Sequence, residues 1–404
     1  MRLSTASAVA ALAASASAFP LMKRDDANST VATNSSTEVT QDDHFQVSFA
    51  KPFAIFQPKV FIGAMFSLET APWLEALDFV HNITLPGLSP QYPDIHCTTN
   101  YSICQFTAGE GEINAAASVT ALALSPLFDL SKTYFLLNGI AGGEPDHTTL
   151  GSVTFAKYAV QAALEYEIDP TEFTKAQAAN WTSGYFAFGT NNQQQYPGNV
   201  YGTEVFELNE NLRNRAIALA KNATLDNGTT GNAEYRKLYP QKKARALPGV
   251  EACDVLTSDV YFTGNVLGDY FSNFTKLMTN GSATYCSTAQ EDNASLEALV
   301  RADKHGLVDY DRIVVMRTIS DFARPPPSMA NDTLGFFTNS SFGGISASVN
   351  NLVNAGLPFV TDVVQHWDKV YKNGTAYKAK NYVGDIFGTL GGVPDFGLPS
   401  FEIA

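Results

Sequence analysis

Short apolar runs alternate along this chain with longer stretches of helical periodicity. Lys59–Met65 (KVFIGAM) reads as a buried strand running into a glycine turn, and Glu69–Val80 (ETAPWLEALDFV) as a helix that tolerates Pro72 only in its first turn. Ile103–Thr107 predicts a strand, Ile113 to about Leu124 an alanine-rich helix, and Tyr134–Asn138 a second apolar strand closed by a glycine loop, Gly139–Gly143. A further strand is expected from Gly151–Ala156. Asp311–Met316 (DRIVVM) reads as a third buried strand, with Arg317–Asp321 at its carboxyl end. Strands alternating with helices predict an α/β sheet covered on both faces, whose ligands bind at the carboxyl ends of the strands. Residues 160–250 and 325–380 are longer and less regular, and read as insertions on one core. A single domain is expected from 45 to 404. The basic run Arg236–Arg245 reads as an exposed, solvated loop.

The first residues change the expected compartment. Arg2, an alanine-rich apolar stretch and Ala16-Ser17-Ala18 form a secretory leader with a cleavage site, so residues 1–18 are expected to be removed. Residues 19–44 are polar, carry the dibasic Lys23-Arg24, and read as a disordered or pro-segment. Thirteen N-x-S/T sequons, at Asn28, Asn34, Asn82, Asn100, Asn180, Asn222, Asn227, Asn273, Asn280, Asn293, Asn331, Asn339 and Asn373, predict N-linked glycans on a secreted or wall-associated protein. Four cysteines suit that oxidising compartment, and of their three pairings Cys97–Cys104 with Cys253–Cys286 is preferred. No later stretch offers the ~20 apolar residues of a membrane span. A formal charge of −14 excludes general nucleic-acid binding, because an acidic surface repels phosphate backbones. Only 16% of residues are charged, and glycans would supply the solubility that charges usually give. Phosphate-loop, dinucleotide, H-E-x-x-H and G-x-S-x-G motifs are all absent from the sequence.

Four segments together resemble the nucleoside phosphorylase superfamily, especially its methylthioadenosine nucleosidase branch. They are KVFIGAM at Lys59–Met65, LNGIAGG at Leu137–Gly143, Gln290-Glu291-Asp292-Asn293-Ala294, and VVMRTISDFA at Val314–Ala323. The secretory start, the span from about 50 to 404 and SDFARPPP at Ser320–Pro327 are similar to the fungal purine nucleoside permease family. The resemblance implies a three-layer α/β/α sandwich with a central mixed sheet, nucleoside phosphorylase-like, with long insertions. It implies purine nucleosides as ligands, a homo-oligomer, and no cofactor, with phosphate left open as a co-substrate.

On that resemblance the catalytic candidates are Asp321, Glu291 and Glu69. Asp321 matches the general acid that protonates the departing base, which requires a raised pKa; a helix N-cap is the plainer role for the same residue. Glu291 matches the carboxylate that accepts hydrogen bonds from the ribose hydroxyls, and would equally complement a helix dipole. The superfamily's water-activating glutamate aligns with Leu68, leaving Glu69 one residue late. Met65, Gly139, Ala141, Gly142, Tyr261, Phe262 and Ser320 are the substrate-binding candidates, with Tyr261 and Phe262 aligned to the segment that stacks on the purine. The loop MFSLETAP lacks the arginine that often holds phosphate, which favours hydrolysis over phosphorolysis. Arg324 and three prolines replace the nucleosidases' second aspartate. The expected function is extracellular cleavage of purine nucleosides, and the alternative is a nucleoside-binding component of uptake without catalysis.

Overall fold

Tyr134–Gly143 is the centre of a 13-stranded mixed sheet in the computed structural model, which describes residues 54–338, 343–398 and 402–403. From one free edge the order runs Phe79–Thr84, Asp94–Thr98, Ile103–Thr107, Val60–Ala64 and then Tyr134–Gly143. It continues through Tyr285–Ala289, Asp254–Thr257, Tyr158–Gln161 and Val205–Glu207 to the two-residue strand Gly384–Asp385. Ile313–Phe322 pairs in parallel along the other side of Tyr134–Gly143, and then antiparallel with Val153–Phe155. The strand Val250–Ala252 finishes this branch.

The period-2 pattern explains why the sheet is covered on both faces. Phe61, Phe135, Leu137 and Val315 pack with the helices Glu112–Leu124 and Asp292–Asp303 through Leu122, Leu296 and Leu299. Their chain neighbours Ile62, Leu136, Val314 and Met316 point the other way. They meet Trp73 of Ser67–Ala76, Leu212 of Glu210–Ala220, and Leu352 and Phe359 of Ile345–Gln365. The result is the three-layer α/β/α arrangement.

Three sequence expectations need correction. The first helix is Ser67–Ala76, so it starts earlier than Glu69, puts Pro72 in its second turn, and stops before Val80. Phe79–Thr84 alternates half-buried and exposed residues and joins the sheet instead. Gly139–Gly143 is no loop, because its register with Arg317–Phe322 carries the strand straight through the glycines. Arg236, expected in a solvated loop, is 3% exposed and donates to the carbonyls of Leu150 and Asn227.

Cys97–Cys104 and Cys253–Cys286 are both bonded, the first across neighbouring strands. The described residues all fall within the unit Ser48–Ala404. The leader and the polar segment lie outside the described residues, as do Asn28, Asn34 and Asn339. Of the remaining sequon asparagines, Asn82, Asn100, Asn180, Asn222, Asn227, Asn273, Asn280, Asn331 and Asn373 are exposed, whereas Asn293 is 2% exposed. No described helix is long and apolar enough to cross a membrane.

Candidate active site

The cavity arises where the central strand loses a neighbour. Val60–Ala64 pairs with it only as far as Leu137, and Tyr285–Ala289 meets it only at Gly143. Between those points the backbone N–H groups on this edge need other acceptors. The Ile140 N–H donates to Glu69 Oε1 at 2.7 Å, and the Gly142 N–H to Thr288 Oγ1 at 2.9 Å. Met65, Phe66, Glu69, Ile140, Ala141 and Gly142 line the opening. Tyr261, Phe262, Thr288, Glu291, Arg317 and Asp321 line it too.

Helix Ser67–Ala76 decides the register question at its start. Leu68 is 50% exposed, while Glu69, in the first turn, is 1% exposed and faces the cavity. Its Oε2 accepts the Met65 N–H at 2.7 Å. Burial raises the Glu69 carboxyl to about 8, against the opposing pull of the Arg317 guanidinium.

Asp321 sits on a β-bulge. The register with the central strand slips between Ile319 and Asp321, so Ser320 is the extra residue and the next side chain is re-aimed. Asp321 therefore ends a strand and caps no helix. Ser320 Oγ lies 2.8 Å from Asp321 Oδ1 and 3.1 Å from the Ala141 carbonyl. The single Ser320 hydroxyl proton is shared between these two acceptors, the Asp321 carboxylate and the Ala141 carbonyl. Burial also raises the Asp321 pKa, and the Ser320 and Tyr261 hydroxyls oppose it. The Tyr261 hydroxyl donates to Asp321 Oδ2 at 3.3 Å.

Glu291 is the N-cap residue of Asp292–Asp303 and is buried. Its Oε1 accepts the Gly111 N–H at 3.1 Å, and its Oε2 faces Arg317 Nη2 at 3.2 Å. Burial raises its pKa, with Arg317 pulling the other way. Arg317 itself is clamped by Asp292, with Nη2–Oδ1 at 2.5 Å and Nε–Oδ2 at 3.2 Å. Its charge is thus committed to two carboxylates. Among the described lining residues Arg317 is the only cation, beside Glu69, Glu110, Glu291 and Asp321.

The remaining candidates separate. Met65, Ala141, Gly142 and Ser320 line the cavity. Gly139 lies behind the wall: a Cβ there would come within 2.5 Å of Arg317 Nη1 and 2.6 Å of Glu69 Oε1. Its role is to let those two side chains pass. Tyr261 is 59% exposed, with its ring edge-on to Phe337 at 5.6 Å, whereas Phe262 is buried against Phe271. Neither belongs to a strand. Sequence reasoning missed Asp292 and Thr288. The signal for Asp292 was there: an arginine inside an apolar strand needs a buried counter-charge, and Glu291-Asp292 offers two.

Fold and site define an α/β protein with a carboxylate-rich ligand cavity at the ends of its sheet strands. The chain belongs to the purine nucleoside permease family, whose model matches residues 57–376. It is 67% identical over 365 residues to a purine nucleoside permease of Candida albicans, covering 90% of this chain and 89% of that one. To a probable purine nucleoside permease of Schizosaccharomyces pombe it is 42% identical over 320 residues, covering 78% and 91%. Among solved structures it is similar to futalosine hydrolase of Helicobacter pylori, at 16% identity and a TM-score of 0.45, covering 77% of this chain and 98% of the other. It is also similar to the MTA/SAH nucleosidase of Streptococcus pneumoniae in complex with 8-aminoadenine, at 17% identity and a TM-score of 0.43, covering 75% and 98%.

Proposed function

We propose that this protein binds purine nucleosides in the cavity and hydrolyses their N-glycosidic bond outside the cell. The observation that carries the reading is the convergence of Asp321, Glu291 and Glu69 on one cavity. As the bond from C1′ to the base breaks, its electron pair goes to the base, which takes a proton from Asp321. Positive charge grows on the ribose, where the surrounding carboxylates stabilise it, and Glu291 accepts hydrogen bonds from the sugar hydroxyls. Water attacks C1′, and Glu69, whose ionised fraction grows as pH rises towards about 8, takes its proton. Because the cation in the described lining is already paired, the site favours water over phosphate as nucleophile. The two disulfides and the exposed sequons support an extracellular, glycosylated protein.

One observation favours a second reading, a nucleoside-binding component of uptake. Each oxygen of Glu69 already accepts a backbone N–H, which suits a structural carboxyl as well as a base.

The purified protein is incubated with adenosine, inosine and guanosine, with and without phosphate. Free ribose in both buffers is the expected product, and ribose-1-phosphate would replace hydrolysis by phosphorolysis. Binding without turnover overturns the enzyme reading in favour of the second. Asp321→Asn should lower turnover by orders of magnitude while nucleoside still binds; near-normal turnover would remove Asp321 as the acid.

A further inference from the structure

Phe79–Thr84 ends the sheet, and one of its sides has no strand partner among the described residues. Free edges template pairing between copies of a chain, and proteins blunt them with lysine, proline, bulges or very short strands. The other two ends of this sheet follow that practice. One is the two-residue strand Gly384–Asp385, and the other is Val250–Ala252, three residues long with Glu251 at its centre. Phe79–Thr84 is six residues long, reads FVHNIT, contains no lysine, arginine, carboxylate or proline, and exposes Val80 at 51%. A register slip between Phe79 and His81 is its one protection of the usual kind. The same strand carries the sequon Asn82-Ile83-Thr84, with Asn82 exposed. Asn82 Oδ1 lies 2.7 Å from His96 Nδ1 on the paired strand, which fixes the amide and leaves Nδ2 to react.

We infer that Asn82 is a site of N-linked glycosylation whose glycan guards this sheet edge against pairing with another copy of the chain. The donor class is an oligosaccharide on a lipid diphosphate. The bond formed joins Asn82 Nδ2 to the anomeric carbon of the first sugar. The bond broken is that carbon's link to the diphosphate, which leaves with the electron pair, while Nδ2 gives up one proton. A branched, hydrated sugar on an outward position of the edge strand blocks an incoming strand sterically, as a lysine would electrostatically. The inference does not depend on what the cavity does.

The full chain is secreted from a eukaryotic host and its glycopeptides are mapped by mass spectrometry. Asn82 should be occupied; an unmodified Asn82 overturns the inference. Sedimentation then compares Asn82→Gln and Thr84→Ala, which lose the sequon, with Thr84→Ser, which keeps it. The first two should move most of the protein into large assemblies, and Thr84→Ser should match the wild type. Adding Val80→Lys to Asn82→Gln should restore the wild-type profile, because a charge on the edge replaces the sugar. Unglycosylated variants that sediment as the wild type overturn the guarding role, as does a double variant that stays aggregated. Should Asn82→Gln fail to leave the cell, the wild type and Val80→Lys are both trimmed, folded, with an endoglycosidase that leaves one sugar and adds no charge: large assemblies confined to the trimmed wild type support the inference, and equal profiles overturn it.

Discussion

Arg317 shows how much of this site is held by charge rather than by shape. The guanidinium is 2% exposed and Asp292 is fully buried, so neither has water to fall back on. Removing one partner of such a pair strands the other, at a cost of about 3–5 kcal/mol. Asp292→Ala is therefore expected to lower the stability of the whole domain by about that amount, read from a denaturant titration, and to weaken nucleoside binding through Glu291. A change below about 1 kcal/mol would mean that Glu291 alone suffices as the counter-charge. At this scale the sequence was partly legible. Asp321, Glu291 and Ser320 stand out in the sequence through their motif neighbours, and the structure brings them to one cavity. Glu69 looked one residue out of place, because spacing alone does not tell where a helix begins; the start at Ser67 turns it inward. Asp292 was missed because its partner Arg317 lies 25 positions away: a strand arginine signals that a buried counter-charge is needed, but not which distant carboxylate supplies it.

At the scale of elements, the central strand is the informative case. Its glycines looked like a turn, since glycine usually punctuates strands. Here two of them accept close neighbours instead: Gly139 against Glu69 and Arg317, and Gly143 against Ile319 and Thr148. Pairing with Ile313–Phe322 along the full length overrides local propensity, a tertiary effect that periodicity does not encode. Gly139→Ala is expected to cost about 1–3 kcal/mol and to push Glu69 off the Ile140 N–H. Thermal denaturation reads the first effect and loss of the proposed turnover the second; an unchanged protein would show that both side chains move aside freely. The first helix was overextended for the opposite reason. The half-buried alternation of FVHNIT is a strand signal, but it abuts the helix without a glycine or proline between them.

For the whole molecule, buried carboxyls set the response to pH. Burial raises Glu69, Glu165 and Glu207 to about 8 and Glu144 to about 7, from an ordinary 4.5. Between about pH 4.5 and 8 the folded chain therefore keeps protons that the unfolded chain has lost. Stability must fall as pH rises through that window, being greatest on its acid side. The Tm is expected to drop between pH 5 and pH 8, and Glu165→Gln or Glu207→Gln to make the drop shallower. A Tm that rises across the window would reverse the assignment. The layer order and the covered sheet were legible in the alternation of strands and helices. The branch at the central strand was not, because it depends on which distant strand pairs first.

The buried sequon at Asn293 has a consequence for synthesis. Asn293 is 2% exposed and its Nδ2 donates to the Thr203 carbonyl, so the folded chain offers no room for a sugar there. On the proposed secretory route the nascent chain meets the transferase before this helix docks, and modification competes with folding. A chain modified at Asn293 is locked out of the native state, so the two rates set the yield. Ser295 Oγ is buried without a hydrogen-bond partner among the described residues, which makes the hydroxyl expendable. Ser295→Ala removes the sequon and is expected to raise the secreted, correctly folded fraction without changing the Tm. An unchanged fraction would mean that folding wins the race outright.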